Sequence, residues 1–173
     1  MEFSEVMKAV PSNFADGSRV WIYQAGRPFS DRETVEINDQ LHHFYAQWLS
    51  HGAPVKGWAS VLFNRYVVIM ADETEVPLGG CSMDASMRVI KSLENQYQTK
   101  LFDRLSITFF VKGKIEMLPM GQVQYALDKG YITMDTPMFN NLVATKKDLL
   151  ENWLKPLRNT WLGARVHAPV AAE

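Results

Sequence analysis

Cysteine is almost absent from this chain of 173 residues, which contains only Cys81. A single cysteine excludes an intramolecular disulfide and a metal site built from several cysteines. A strong charge of either sign is also missing, because 18 basic and 19 acidic residues leave a net charge of −1. The chain therefore has no overall positive field to attract nucleic acid, and we expect no nucleic-acid partner.

Long apolar runs are missing as well. No window approaches the roughly eighteen uninterrupted apolar residues of a membrane-spanning helix. The first ten residues contain two glutamates and lack the apolar core of a signal peptide. We therefore expect a cytoplasmic protein without a membrane partner. The composition, with 47% hydrophobic and 21% charged residues, is typical of a globular domain.

Local patterns predict a strand followed by an amphipathic helix at the start of the core. Arg19–Gln24 is rich in β-branched and aromatic residues, which favours a strand. Ser30 and Glu33 have the spacing of a capping box. The apolar residues that follow recur at the helical period, at Ile37, Leu41, Phe44, Tyr45 and Trp48. Gly52, followed by Pro54, predicts the end of this helix, and His51 is expected to help close it.

A hairpin and a second helix come next in the prediction. Residues 55–63 and 66–71 read as two strands joined by a two-residue turn at Asn64 and Arg65. The run 67–70 is apolar throughout, as in a central strand covered on both faces. After Gly79 and Gly80, a helical face is formed by Met83, Met87, Ile90, Leu93 and Tyr97. Strands are predicted at 106–111 and 115–118, a short helix at 120–129 and a final helix capped by Thr145.

This order, β-α-β-β-α-β, predicts an α+β fold of the ferredoxin-like sandwich type, with an extra strand and a helical C-terminal extension. We expect one domain over residues 1–173. Its core is predicted at about 19–118, its helical extension at about 119–162 and a frayed tail at 163–173.

The segment from Leu78 to Ser86 is the first candidate site, because it is a glycine-rich turn from a strand into a helix. Backbone N–H groups at a helix start can hold an anion such as phosphate or carboxylate. Asp84 opposes this interpretation, since its charge would compete for the same place. The candidate ligand-binding residues are Gly79, Gly80, Cys81, Ser82, Ser86, Asn140 and Asn141. The two asparagines are included because they follow Phe139 in a polar phrase, although tandem asparagines also satisfy turn backbone.

Cys81 is the candidate nucleophile. A helix dipole favours the thiolate, but a cysteine nucleophile also needs a base, for which His51 or His42 are the candidates. The alternative is a small thiol that fills space at a tight turn. His42, His43 and His51 lack the spacing of metal ligands on one helix face, so we expect neither a metal nor a cofactor.

Several phrases resemble a family of short Bacteroidetes proteins that often carry the label "ABC transporter ATPase". They are residues 19–24, Trp48 with His51 and Gly52, residues 80–86, residues 101–104 and residues 139–143. The family has no known activity, so the resemblance implies no catalytic residue. The ATPase label is not supported, because the Gly79–Ser82 turn lacks the lysine that reaches the terminal phosphates in such enzymes.

These observations favour a binding module over an enzyme. The leading hypothesis is a non-catalytic module for a small ligand or a protein, with a small anionic ligand and a homodimer as candidate partners. The homodimer is expected by analogy with folds that pair an exposed sheet face. The alternative is a cysteine-dependent enzyme that uses Cys81.

Overall fold

The structure is a computed structural model that describes residues 1–170. Its helices are, in chain order, α1 Phe3–Met7, α2 Asp31–Ala46, α3 Gly80–Tyr97, α4 Val123–Asp128 and α5 Lys146–Asn152. Its strands are β1 Arg19–Gln24, β2 Leu49–Ser50, β3 Ala53–Pro54, β4 Lys56–Leu62, β5 Tyr66–Asp72, β6 Ser106–Val111, β7 Lys114–Pro119, β8 Pro137–Phe139 and β9 Leu154–Pro156. The chain forms two compact units, which are described separately below.

The first unit comprises residues 2–103 and 142–150. Its main sheet has the strand order β1-β5-β4, and both pairings are antiparallel. All seven residues of β5 are buried, which confirms the predicted central strand. The hairpin between β4 and β5 is also confirmed. Its connection has three residues rather than two, because Leu62 pairs with Tyr66 and both Phe63 and Asn64 adopt positive φ.

Helix α2 begins at the predicted capping box. The Ser30 hydroxyl accepts from the Glu33 N–H at 3.1 Å, and the Glu33 carboxylate accepts from the Ser30 N–H at 3.0 Å. Ile37 and Leu41 of its apolar face are fully buried in the core of the first unit. The helix has already ended when the chain reaches Trp48, which is 3% exposed.

The predicted helix end at Gly52 is wrong, and so is the role given to His51 at the end of that helix. Helix α2 ends at Ala46, and Leu49–Pro54 form a small antiparallel hairpin, β2-β3. His51 and Gly52 are its two-residue turn, with φ of 51° and 80°. Positive φ at both turn positions matches the twist of the flanking strands, which explains why glycine marks a hairpin here.

Helix α3 begins at Gly80, as the glycine-rich turn predicts. Its buried face consists of Ser82, Ser86, Ile90, Leu93 and Tyr97. The prediction placed Met83 and Met87 on that face, and Met87 is instead 39% exposed. Ser82 and Ser86 are buried where the prediction expected the two methionines. A prediction from apolar residues alone therefore chose the wrong face for the first two turns of α3.

The second unit comprises Met1, residues 104–141 and the chain from Glu151 onward. Its sheet has the order β7-β6-β8-β9, with antiparallel pairing. Lys112 and Gly113, both with positive φ, form the turn between β6 and β7. Helix α4 packs on this sheet through Val123, Ala126 and Leu127. The predicted helical extension therefore also contains the two short strands β8 and β9.

The α+β class with antiparallel sheets is confirmed. The ferredoxin-like topology is not confirmed, because β6, predicted as the fourth strand of the first sheet, pairs with β7 and β8 in the second unit. The single-domain boundaries stay a prediction. In the predicted tail, His167 and Gln124 exchange two hydrogen bonds, and residues 171–173 lie outside the described residues.

No helix within residues 1–170 has the length and apolarity needed to cross a bilayer.

Candidate functional site

The turn before α3 is held by two serine hydroxyls. The Gly79 N–H donates to Ser50 Oγ at 3.1 Å and to Ser82 Oγ at 2.9 Å. Ser82 Oγ donates back to the Gly79 carbonyl at 2.8 Å, and Ser86 Oγ donates to the Met83 carbonyl at 2.6 Å. Ser82 and Ser86 are buried and bonded to backbone. Their hydroxyls therefore stabilise the helix start, and their role toward a ligand stays a prediction.

Cys81, the second residue of α3, is exposed. His51 lies beside this turn, since a Cβ built on Gly79 would be 2.7 Å from His51 Nε2. His42 lies on α2 with its ring edge-on to Tyr45, at 5.1 Å between centroids. In the part of the chain that is described, no hydrogen bond joins Cys81 to either histidine. The Cys81 nucleophile stays a prediction.

Asn140 and Asn141 belong to the second unit. The Asn140 N–H donates to the Trp153 carbonyl at 2.6 Å, and Asn141 Oδ1 accepts from Trp153 Nε1 at 2.9 Å. Trp153 is fully buried, so these contacts fix a large core side chain. The two asparagines thus have a structural role in their own unit, and their grouping with the Gly79 turn stays a prediction.

A groove of about 710 Å³ lies between α2 and α3 in the first unit. Its lining comes from one face of each helix and from the chain just after α2: Asp39, Gln40, His43, Phe44, Gln47, Trp48, Leu49, Ala85, Arg88, Val89 and Ser92. The apolar lining of Phe44, Trp48, Ala85 and Val89 includes a small side chain at Ala85, which leaves space between the helices. Phe44 and Trp48 are in ring contact at 4.9 Å.

The helices around this groove are tied together at both ends. At one end, Trp48 Nε1 donates to the Ser82 carbonyl at 2.9 Å in a buried hydrogen bond. At the other end, Arg27 makes two hydrogen bonds to the Glu33 carboxylate and donates to the carbonyl of Tyr97 at 2.7 Å. These contacts join the end of each helix to the start of the other, so the helices are antiparallel and are held together near both of their ends.

The ion pair at the second tie is charge-assisted. The Arg27 guanidinium, through its hydrogen bonds, holds the pKa of Glu33 at about 2, and the Ser30 N–H contributes. Arg27 also brings a positive charge to the C-terminal carbonyl of α3, where the helix dipole favours it. Glu33 therefore caps α2 and anchors α3 through one carboxylate.

Polar groups stand around the apolar lining. Gln40 also donates to the Tyr97 hydroxyl at 3.2 Å, and His43 Nε2 lies 3.4 Å from Gln47 Nε2. Arg88 and Asp39 are exposed and carry the formal charges of the lining. An apolar concave surface with a few polar groups at its edge is the usual form of a small-molecule site.

Within residues 1–170, no group of three histidine, cysteine, aspartate or glutamate side chains comes close enough to hold a metal ion.

Sequence reasoning missed the groove, although its residues follow a readable pattern. Ala85, Arg88, Val89 and Ser92 recur at steps of three and four on α3, and Cys81 lies one turn before them on the same face. A helix face with one small, one apolar and two polar residues is typical of a solvent-exposed surface, so the sequence predicts no binding site on it. The groove needs α2 as its second wall. The antiparallel packing of α2 against α3 depends on tertiary contacts, which a local sequence pattern does not show.

Comparison with protein-family models, curated proteins and solved structures finds no match to this chain. The resemblance to the Bacteroidetes family stays a prediction.

Proposed function

We propose that this chain is a non-catalytic binding module for a small ligand, which it holds in the groove between α2 and α3. The observation that carries the proposal is a groove of about 710 Å³ between two helices tied at both ends. Ligand pockets of roughly 300–1,000 Å³ with mainly apolar linings are the usual size for drug-sized molecules.

The length of the groove favours a small molecule over a protein partner. Its lining on α3 runs from Ala85 to Ser92. At a rise of about 1.5 Å per residue this is only about 10 Å of helix. A docked amphipathic helix uses anchors over at least two of its turns, or about 11 Å, so the groove is at the lower limit of length for such a partner.

A filled-groove variant tests the proposal. Ala85→Trp places a large ring between the helices, whereas Met87→Trp adds the same ring to an exposed position outside the lining. The probes are 2-naphthoate and its neutral analogue 2-naphthylmethanol, measured by calorimetry. We expect saturable one-site binding of at least one probe by the native chain and by M87W, and loss of binding by A85W.

The fold of each variant is checked by circular dichroism, and Val89→Trp is a second filling variant should A85W fail to fold. Absence of saturable binding of both probes to the native chain overturns the proposal. Equal binding by A85W and M87W, both folded, overturns it as well.

The second candidate function is a cysteine-dependent enzyme. What favours it is the exposure of Cys81 in the first turn of α3, with the His51 ring against Gly79 two residues earlier. The absence of a hydrogen-bonded base within residues 1–170 places this function second.

We also propose a ferredoxin-like arrangement for the first unit, supported by the split β-α-β order in which β5 lies between β1 and β4. Membership of the Bacteroidetes family and a cytoplasmic location are supported by the sequence alone. We also propose a homodimer, by analogy with folds that pair an exposed sheet face.

A further inference from the structure

We infer that the ligand of the groove is an apolar, ring-bearing molecule with one anionic group, and that Arg88 binds that group. This inference rests on the proposed function and names the chemical class of the ligand.

Arg88 is the arginine of the groove lining, and like Arg104 and Arg165 it forms no ion pair within the described residues. Arg19, Arg27, Arg32 and Arg158 each form an ion pair with a carboxylate. Arg88 lines the groove, is exposed, and has no carboxylate partner within the described residues. Asp84, one helical turn earlier on α3, does not form an ion pair with it. A guanidinium presents a planar set of donors that matches a carboxylate at two points.

The other wall of the groove carries polar groups as well. His43 of α2 lines the groove together with Arg88 of α3. Gln47, which directly follows α2, adds a side-chain amide to the lining. Asp39, the one acidic residue of the lining as described, lies one turn before His43 on α2. The anionic group is therefore assigned to the part of the groove between Arg88 and His43.

The apolar body of the ligand has its place beside this group. Phe44 and Val89 pack against the core of the first unit with part of their surface exposed, and both line the groove. Ala85 has the smallest side chain of the lining and so leaves room for the ligand. A flat ring system covers these side chains while its acid reaches Arg88, which is the arrangement that orients ligands in apolar pockets.

Two matched comparisons test the inference. The ligands 2-naphthoate and 2-naphthylmethanol share the ring system and differ in charge. Arg88→Gln and Lys91→Gln remove the same charge from α3, but Lys91 is exposed and lies outside the lining. We expect R88Q to weaken naphthoate binding about fivefold, as for a solvent-accessible ion pair, and K91Q to leave it within twofold.

Further measurements distinguish failure of the anionic assignment from failure of the proposed function. Binding of the alcohol should be the same in the native chain and R88Q, and added salt should weaken binding of the acid only. Asp39→Asn should strengthen binding of the acid. Equal affinity for both probes, with no effect of R88Q, overturns the anionic assignment and leaves the groove as a binding site. Failure of both probes to bind the native chain overturns the proposed function itself.

Discussion

Asp72 is a buried carboxylate that joins three segments of the first unit. It accepts from the Thr74 hydroxyl at 2.6 Å and N–H at 3.0 Å and from the Ala15 N–H at 2.9 Å, and it pairs with Lys56 at 3.7 Å. These donors, the Thr74 hydroxyl most of all, hold its pKa at about 2. The ionised form is therefore the one that connects the end of β5 to the N-terminal segment.

Asp72→Asn should destabilise the chain by about 2 kcal/mol at pH 7, because an amide places a donor where the carboxylate accepts. The pKa of Asp72 is lower in the folded chain than in the unfolded chain. Its stabilisation is therefore present above about pH 4 and is lost as pH falls toward 2. Urea unfolding from pH 7 to pH 2 measures this, with a smaller acid loss expected in D72N.

The matched control for Asp72 is Asp39→Asn, an exposed carboxylate without a hydrogen bond in the described residues. D39N should keep the native acid loss. Glu33, whose pKa is also about 2, contributes to the remaining loss in every variant. Parallel pH profiles for the native chain and D72N would contradict this account of Asp72.

Cys81 should react as an ordinary exposed thiol. In the native chain we expect complete alkylation by iodoacetamide, at a rate within about threefold of that of the urea-unfolded chain at the same pH, because no hydrogen-bonded base joins the exposed thiol within residues 1–170. Mass spectrometry at neutral pH gives the rate. A native rate a hundredfold faster, reduced by His51→Gln, would favour the cysteine enzyme instead.

At the scale of elements, two glycines test how the walls of the groove are held. A Cβ on Gly57 of β4 would lie 2.6 Å from Trp48 Cε3, and a Cβ on Gly79 would lie 2.7 Å from His51 Nε2. Trp48 is buried and bonded to Ser82, so it has no room to move. His51 is exposed at a hairpin turn and can rotate away.

Gly57→Ala should therefore lower the free energy of unfolding by about 1–3 kcal/mol, as overpacking does, and weaken ligand binding. Gly79→Ala should cost less than about 1 kcal/mol, since the ring that it meets can move. Thermal and urea unfolding of both variants measure the difference. Equal losses would show that Trp48 is not fixed as described.

The elements themselves were largely predictable where a local pattern determines them. The capping box of Ser30 and Glu33, the apolar strand β5 and the helix start at Gly80 each depend on neighbouring residues, and each was found. The end of α2 was missed because Gly52 serves equally well as a helix terminator or in a hairpin turn. The β2-β3 hairpin is too short for a strand pattern.

At the scale of the whole molecule, the pairing of segments that are distant in the chain could not be predicted from sequence patterns. The free edge of β1, where a ferredoxin-like sheet would have its fourth strand, is bridged by Thr145, and the Val20 N–H donates to the Ala144 carbonyl at 3.0 Å. Lys146, buried beside them, donates to the carbonyls of Ser12 and Phe14. No local periodicity marks a contact across more than a hundred residues, so β6 was assigned to the wrong sheet.

The candidate site was less predictable than the fold for the same reason. The turn at Gly79 concentrates residue types that are common in active sites, and the hydroxyls of Ser82 and Ser86 are bonded to backbone there. The groove consists of ordinary residues on two helices. The groove forms only when α2 and α3 pack together, with Trp48 bonded to Ser82 and Arg27 bonded to Tyr97.

The most direct test of the groove as a ligand site is an amide and indole nitrogen–proton NMR titration with 2-naphthoate. The account predicts saturable shifts confined to Asp39–Leu49 and Ala85–Ser92, together with the Trp48 side-chain N–H, at one ligand per chain. Shifts that saturate elsewhere, or no saturable shift at all, would contradict it.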